Sequence, residues 1–465
     1  MDIANSKLEK LFPRRIKYHP FFLFMMKDLY IRLKPYLANI SWIVFDKFFN
    51  LGLAFLVTIF VSRYLGPEKY GILAYATSLA ALLGTTAHMG LSGIVVREIV
   101  EFPEKKQETL GTTFVLKGLG SLIGFAILCL IALLTNDQGS AEFWVLLIAA
   151  LTILLQPFQS IKFWFQANVQ ARYITTAQIT GKLISSGFKL LLIFLGASLI
   201  PFAFGSFIQI TFVTVTLLYL YQHTANLPIQ TWLPSLKRAK KLLRSGSIIF
   251  IGTVFASVYL KTDQIMLRWL VDPKEVGIYS IAATLSEVWY FLPTAIVVSI
   301  FPKLIQLRKS NVKAYKKRLQ QVFDLLFFIA LFVAILVTFL AKPLVYFSLG
   351  EAYLESASIL SIHIWAGIFI FMRAAFSKWI LTEHLEIFSL ITQGLGAISN
   401  IGLNLILIPR LGGYGAALAT LFSYAMASYL SLLLHSKTRE VFWMMTYSML
   451  LVPTLGLRYF RLRQS

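Results

Sequence analysis

Twelve stretches of this chain are each about 20 residues long and almost wholly apolar, the length needed to cross a bilayer's hydrocarbon core as α-helix. They fall at roughly 40–62, 71–95, 110–134, 143–165, 173–197, 200–221, 246–268, 278–302, 320–341, 356–378, 387–408 and 413–434. Only closed hydrogen bonding survives in lipid, so such runs form helices. Composition agrees: 57% of the 465 residues are hydrophobic and 14% are charged, against about 25% charged in soluble domains. The expected fold is an all-α polytopic membrane protein of about twelve transmembrane helices.

The formal charge of +22 is high for so apolar a chain. Its distribution argues against nucleic acid as a partner. Lys and Arg crowd the connections at 97–109, 222–245 and 303–319, while Thr135–Glu142 and the turn at 198–200 contain none. That alternation is the positive-inside pattern, and it predicts a cytoplasmic N-terminus and a multi-pass location in the plasma (inner) membrane. Residues 1–39 form a basic arm without a secretory signal pattern, and 20–37 could lie as an amphipathic helix on the inner leaflet. A last apolar stretch, 441–457, contains Pro453 and precedes a basic tail, which suits an interfacial or partial membrane segment in 437–465.

An internal repeat organises the body. Arg63-Tyr-Leu-Gly-Pro-Glu-Lys-Tyr-Gly-Ile72 follows the first apolar run, and Arg268-Trp-Leu-Val-Asp-Pro-Lys-Glu-Val-Gly-Ile278 follows the seventh. Pro67 and Gly71 correspond to Pro273 and Gly277 at a constant offset. Six spans between the copies preserve orientation, so two parallel six-helix lobes, 40–235 and 236–436, are expected around a central cavity.

Ionisable groups inside spans are costly and mark candidate function. Thr175, Gln178, Lys182, Ser185 and Lys189 recur at steps of three and four and share one face of the fifth span. Thr253, Ser257, Lys261 and Gln264 do the same in the seventh; Ser280, Thr284, Glu287 and Thr294 in the eighth; and Gln393, Asn400 and Asn404 in the eleventh. Asp46, Lys47 and Asn50 lie in the first span, Lys117 in the third and Arg373 in the tenth. The candidate cavity cations are Lys182, Lys189, Lys261, Arg373 and Lys117, and the candidate titratable acids are Glu287, Asp46 and Asp263. Simpler readings compete. Lys47 and Lys117 can snorkel to an interface, Asp263 can pair with Lys261 or Arg268, and His88 and His363 suit satisfied core positions. Pro157 and Pro293 are placed to kink spans four and eight.

No phosphate-loop, H-E-x-x-H or Cys/His cluster is present, the one cysteine is Cys129, and no cofactor is expected. The longest outward connection, Lys342–Glu355, is small for a catalytic domain, which argues against a membrane enzyme.

The pieces Arg63–Ile72, Gly90-Leu-Ser-Gly-Ile-Val-Val-Arg-Glu98, Thr262-Asp-Gln-Ile-Met-Leu267 with Val276-Gly-Ile-Tyr279, and Asn404 to Thr420 occur in order. Over residues 40–435 the chain resembles the polysaccharide-biosynthesis branch of the multidrug/oligosaccharidyl-lipid/polysaccharide exporter superfamily, the O-antigen flippases of Wzx type. The resemblance implies a flippase that moves a polyprenyl-pyrophosphate-linked oligosaccharide from the inner to the outer leaflet for cell-surface polysaccharide synthesis. H+ or Na+ would couple transport, and a polysaccharide polymerase and chain-length proteins would be partners. The cations would then serve the pyrophosphate and glycan, and the acids the coupling ion. The alternatives are a cation-coupled multidrug or metabolite antiporter of the same superfamily, a flippase for a lipid-linked peptidoglycan precursor, and a polymerase or ligase of the pathway.

Overall fold

The computed structural model describes residues 20–225, 228–383 and 385–450, apart from the side chains of 20–40, 43, 44 and 386. The described residues are helical throughout, without strands. Helix α1 spans Pro20–His88, with a break at Gly66 (φ 73°, ψ 169°) where only glycine is unstrained. Residues 20–37 run continuously into this helix, and residues 1–19 of the expected basic arm lie outside the described residues. Then come α2 (Ser92–Glu101), α3 (Lys106–Thr135), α4 (Ala141–Leu154), α5 (Ile161–Ala167), α6 (Ala171–Phe194) and α7 (Leu199–Thr224). The second half holds α8 (Leu236–Leu270), α9 (Pro273–Glu287), α10 (Phe291–Ser310), α11 (Val312–Leu349), α12 (Leu354–His363), α13 (Ala366–Thr382) and α14 (Glu386–Ser428). A second break, at Gly412, divides α14.

Nine helices among the described residues are long and apolar enough to cross a membrane, or ten when the pair α12 and α13, bent by 46°, is taken as one span. Two of the nine contain the breaks at Gly66 and Gly412, and the sequence reading of about twelve divides them there. The outer surface is apolar: on α11, Phe332, Phe339 and Phe347 are 66%, 79% and 78% exposed. Aromatic surface of this extent belongs against lipid, so the chain is a multi-span membrane protein.

Both prolines singled out in the sequence sit where helices are interrupted. Pro157 lies in a 3-10 turn, Gln156–Ser160, between α4 and α5, and Pro293 follows a 3-10 turn, Val288–Tyr290, between α9 and α10. Proline has no N–H to give the preceding turn, so the ladder tightens or breaks beside it. The C-terminal helix α15 (Arg439–Met449) is too short to cross. Its Val441 and Met445 are fully buried, and it packs against α11. Residues 451–465, including the rest of the apolar stretch expected at 441–457, lie outside the described residues.

The two repeat motifs meet each other. A Cβ on Gly71 would sit 1.7 Å from the Pro273 carbonyl oxygen, and a Cβ on Gly277 would sit 1.9 Å from that of Pro67. This reciprocal contact is what a two-fold relation between the copies produces. Asp272 and Pro273 set the second copy's geometry, because Asp272 Oδ1 caps α9 by accepting from Glu275 N at 2.8 Å and proline suits the first helical turn. Around the contact, Glu142 at the start of α4 holds Arg268 near the end of α8 through a two-pronged pair (2.8 and 2.9 Å). Trp269 Nε1 donates to Tyr75 Oη, and Tyr353 Oη to the Ser62 carbonyl. At the opposite, basic end, Glu98 receives Arg238 (2.6 Å) and Lys241 (2.8 Å). The first turns of α8 are thus tied to the first half, while the helix packs extensively on α14 of the second.

The glycine contact makes a stability prediction. Gly71→Ala and Gly277→Ala each push a methyl into a backbone carbonyl and should cost about 1–3 kcal/mol. Gly52→Ala, with nothing within 4 Å of the new Cβ, should leave the thermal transition of the detergent-purified protein unchanged or raised. Equal transitions for all three variants would mean that the lobes do not meet at these glycines.

Candidate functional site

Two polar cavities lie within the bundle. The first, about 580 Å³, is lined by residues from α1 to α7 and the 3-10 turn between α4 and α5, all in the first half. The second, about 200 Å³, lies between the halves, with Val57, Thr77 and Lys189 on one side and Lys261, Gln264 and Ser280 on the other. Leu73, Thr77 and Ser206 line both cavities, so the two adjoin. Neither has an aspartate or glutamate in its wall.

In the cavity between the halves, Lys189 projects from α6 and Lys261 from α8. The Lys189 side chain crosses α7 at Gly205, where a Cβ would sit 2.2 Å from Lys189 Cε. Gly205 is held in place by Ser185 Oγ, one turn before Lys189, which donates to its carbonyl at 2.6 Å. A side chain at 205 would push the flexible end of Lys189 off this course. Ser78 Oγ hydrogen-bonds Gln264 Oε1 across the two halves in the same wall.

In the first-half cavity, Lys117 and Lys162 both contribute to the wall, with His88. Lys117 is 1% exposed, and its ammonium lies 5.4 Å from the Phe163 ring centroid, a cation–π contact. Lys117 and Lys162 are close enough to repel each other electrostatically. Asp46 on α1, which accepts from Asn50 Nδ2 at 2.9 Å, lies within electrostatic range of Lys162 without lining the cavity. Gln156, Gln159, Gln166, Gln178 and Gln209 line the same cavity.

A third polar centre is buried in the second half. Asp263 on α8 is 3% exposed and has no cation within ion-pair distance among the described residues. Its Oδ1 accepts from Asn400 Nδ2 (2.8 Å) and Asn404 Nδ2 (2.6 Å). Its Oδ2 accepts from Tyr279 Oη (2.6 Å) and Thr420 Oγ1 (2.5 Å). The expected partner Arg268 is taken by Glu142, so the alternative pairing of Asp263 with Arg268 or Lys261 is corrected. Asn404 Oδ1 is buried without a hydrogen-bond partner, and so is Nδ1 of His363, whose ring stands 5.8 Å from that of Tyr279. His363 is therefore not a satisfied core histidine, and His88 is a cavity residue.

The sequence candidates thus separate. Lys189 and Lys261 share one cavity, and Lys117 lines the other. Lys182 is half-buried on α6 within electrostatic range of Lys189 but lines neither cavity. Arg373 lines neither. It is bound within the second half, donating to the Ala427 carbonyl at 2.6 Å and lying 6.0 Å from the Phe376 ring centroid. Glu287, at the end of α9, has no hydrogen bond or ion pair among the described residues and senses Lys261 and Asp263 electrostatically. Of the glutamines only Gln178 was singled out in the sequence; Lys162 and the other four were not, although Gln156, Gln159, Lys162 and Gln166 recur at steps of three, three and four.

Comparison with known proteins agrees with this architecture. The family model described as polysaccharide biosynthesis protein matches residues 36–308, more than half of the chain. A curated relative, the probable flippase AglR of Haloferax volcanii, is 25% identical over 401 residues, covering 81% of this chain and 78% of the relative. Among solved structures, an inward-facing multidrug resistance MATE family transporter of the MOP superfamily matches with a TM-score of 0.64 at 14% identity, covering 85% of this chain and 96% of that one. The lipid II flippase MurJ in an inward closed conformation matches with a TM-score of 0.60 at 16% identity, covering 91% and 93%. At these identities the structural likenesses speak to the fold, a two-lobed membrane transporter architecture. The family match is of a different order, and by it this chain belongs to the polysaccharide biosynthesis protein family.

Proposed function

We propose that this chain is a flippase that carries a polyprenyl-pyrophosphate-linked oligosaccharide across the plasma membrane, coupled to an H+ or Na+ gradient. The observation that carries the reading is the pair Lys189 and Lys261, one from each half, in the wall of one acid-free cavity at the lobe interface. A cavity lined this way favours an anion that both lobes can hold, and a pyrophosphate accepts charge-assisted hydrogen bonds from both. Family membership and the flippase name of the relative support the same reading. A cationic drug, the cargo of the antiporter alternative, would meet only like charge here.

The basic end of the bundle faces the cytoplasm in this reading, and the Gly71–Gly277 contact lies at the outer face, following the charge rule. The lipid tail stays in the bilayer while the head group crosses between the lobes. The protein's part is to bind and reorient, without covalent chemistry.

Of the three candidate acids, Asp263 is best built for coupling. A carboxylate, two carboxamides and two hydroxyls supply oxygen donors once the amides turn their oxygens inward, which suits a small hard cation. The unpartnered Asn404 Oδ1 is one such oxygen. Asp46 instead faces Lys162, and Glu287 has no comparable ring of ligands.

Proteoliposomes containing the purified protein and a fluorescent lipid-linked oligosaccharide test the reading. Lipid in the protein-facing donor leaflet should become accessible on the other side at a rate that rises with an imposed Na+ or pH gradient. Transport of a cationic dye with no movement of the lipid-linked sugar would establish the antiporter alternative instead.

A further inference from the structure

Two opposite charges stand unpaired beside the interlobe cavity. Lys261 on α8 lines it, as do Ser280 and Thr284 on α9. Glu287 follows on the same face of α9, one turn past Thr284 and just beyond the cavity wall. Lys261 and Glu287 lie within electrostatic range of each other. Neither makes a hydrogen bond or ion pair among the described residues. Charges inside a membrane normally pair, because an uncompensated charge in a low dielectric is costly. Asp263 is no alternative partner for Lys261. It lies two residues away on the same helix, where side chains diverge, and both its oxygens accept from other groups. A third group stands beside the open pair. Tyr290, on the 3-10 turn after α9, has a buried hydroxyl without a hydrogen-bond partner, within electrostatic range of Glu287. A turn of Lys261 about its four-carbon stem would satisfy all three groups at once: the ammonium and the phenol O–H would each donate to the carboxylate.

We infer that Glu287 is a release group: Lys261 alternates between the anion of the substrate and the Glu287 carboxylate, and closing the Lys261–Glu287 pair, with Tyr290 donating to the same carboxylate, frees the anion. The inference rests on the flippase reading, which puts the pyrophosphate between Lys189 and Lys261. A transport site must bind well enough to load and weakly enough to unload, and two cations facing one pyrophosphate meet only the first need. An acid that competes for one of them meets the second. The exchange makes and breaks ion pairs and hydrogen bonds, and no proton or covalent bond changes hands. It also neutralises Lys261 once the anion has left, so the unloaded lobes can close again without a bare cation between them. Lys189 feels another cation, Lys182, and no acid, so the first lobe holds the anion and the second lets it go.

Binding of a fluorescent polyprenyl pyrophosphate without sugar to the full chain in detergent tests the switch. Glu287→Gln keeps size and hydrogen bonding and removes the competitor for Lys261. It should tighten binding about tenfold, because a ligand gains affinity when a competing state of its site is removed, and the gain should come mostly from slower release. In proteoliposomes the same variant should reach half-maximal flipping at lower lipid, yet turn over about tenfold more slowly once saturated, with release now limiting. A residue that only steadies the fold would lower affinity and rate together. The double variants decide between a switch and simple repulsion of the anion by Glu287. In a Lys261→Gln background, Glu287→Gln should alter affinity by less than about twofold, while in a Lys189→Gln background it should keep its full effect. Equal tightening in the Lys261→Gln background would overturn the switch, and so would unchanged affinity in well-folded Glu287→Gln. If Glu287→Gln does not fold, Tyr290→Phe takes its place: it weakens the closed pair by one donor and should tighten binding about threefold, and unchanged affinity would again overturn the switch. The parent reading fails separately. A native chain that neither binds the sugar-free lipid nor flips lipid-linked sugar loses both the flippase reading and the switch. A native chain that does both, with variants that behave like it, keeps the flippase reading and loses only the switch.

Discussion

Replacing both interlobe lysines, Lys189→Gln with Lys261→Gln, should reduce lipid-linked oligosaccharide flipping by two orders of magnitude or more while the protein still inserts and purifies normally. Each ammonium supplies a charge-assisted hydrogen bond worth roughly 1.5–3 kcal/mol, and about 1.4 kcal/mol is a factor of ten. Single variants should therefore lose about tenfold or more. The position of the charge matters as well as its presence. Lys189 reaches the cavity by crossing Gly205, and a methyl there would sit 2.2 Å from Lys189 Cε. Gly205→Ala keeps every charge yet displaces the ammonium, and it should lower flipping by a similar factor. If the double lysine variant flips at the normal rate, or if all three changes act only by lowering the amount of folded protein, the interlobe cavity is not the path of the anion. Arg373→Gln, by contrast, should change stability more than transport, because its guanidinium is spent on the Ala427 carbonyl.

That contrast shows what sequence could and could not reveal. Apolar run length and alternating loop charge reveal the spans, because bilayer thickness and the charge rule act locally along the chain. The repeat was legible because the lobe contact reuses the same local motif, and its two glycines lie against each other's proline carbonyls. Periodicity correctly put Lys182 and Lys189 on one helix face. It could not tell that the cavity wall reaches Lys189 and not Lys182, because a face is covered by different neighbours at different heights. Arg373 stood out only as a cation inside a span, and no pattern of apolar residues reports that its guanidinium is bound to the Ala427 carbonyl. Lys162 was legible at steps of three and four from Gln156, Gln159 and Gln166, a stripe overshadowed by Pro157, which marks the same stretch as a kink. The Asp263 centre was only half visible. Asp263, Asn400 and Asn404 each stood out as intramembrane polar residues, but the amides lie 137 and 141 positions along the chain. Only the packing of α8 on α14 brings them to one carboxylate.

Asp263→Asn should abolish the dependence of flipping on the ion gradient and leave substrate binding within about threefold of normal. The substitution preserves shape and removes the charge that four donors now surround. On the proposed coupling role those donors compete with an incoming cation, and proton or Na+ entry would displace some of the hydrogen bonds from Asn400, Asn404, Tyr279 and Thr420. Tyr279 belongs to α9, the helix that carries the Gly277 contact with the first lobe. On the proposed coupling role, a change of partners at Asp263 would reach the lobe interface along α9, where Tyr279 and Gly277 are two residues apart. The neutral variant freezes that exchange. Carboxamides would face carboxamides, and no ion would be gained or released as the lobes rock. A merely structural role predicts something different, a lower thermal transition with the same gradient dependence in whatever protein folds. Asn404→Leu gives a second test, since it removes the unpartnered Oδ1 together with the Nδ2 donor to Asp263 and leaves the carboxyl group itself in place. It should raise the ion concentration needed for half-maximal flipping by tenfold or more and leave the rate at saturating ion largely intact. If Asp263→Asn retains full gradient dependence, coupling passes to Glu287, the other acid within electrostatic reach of Lys261, and Glu287→Gln becomes the variant in which that dependence should vanish.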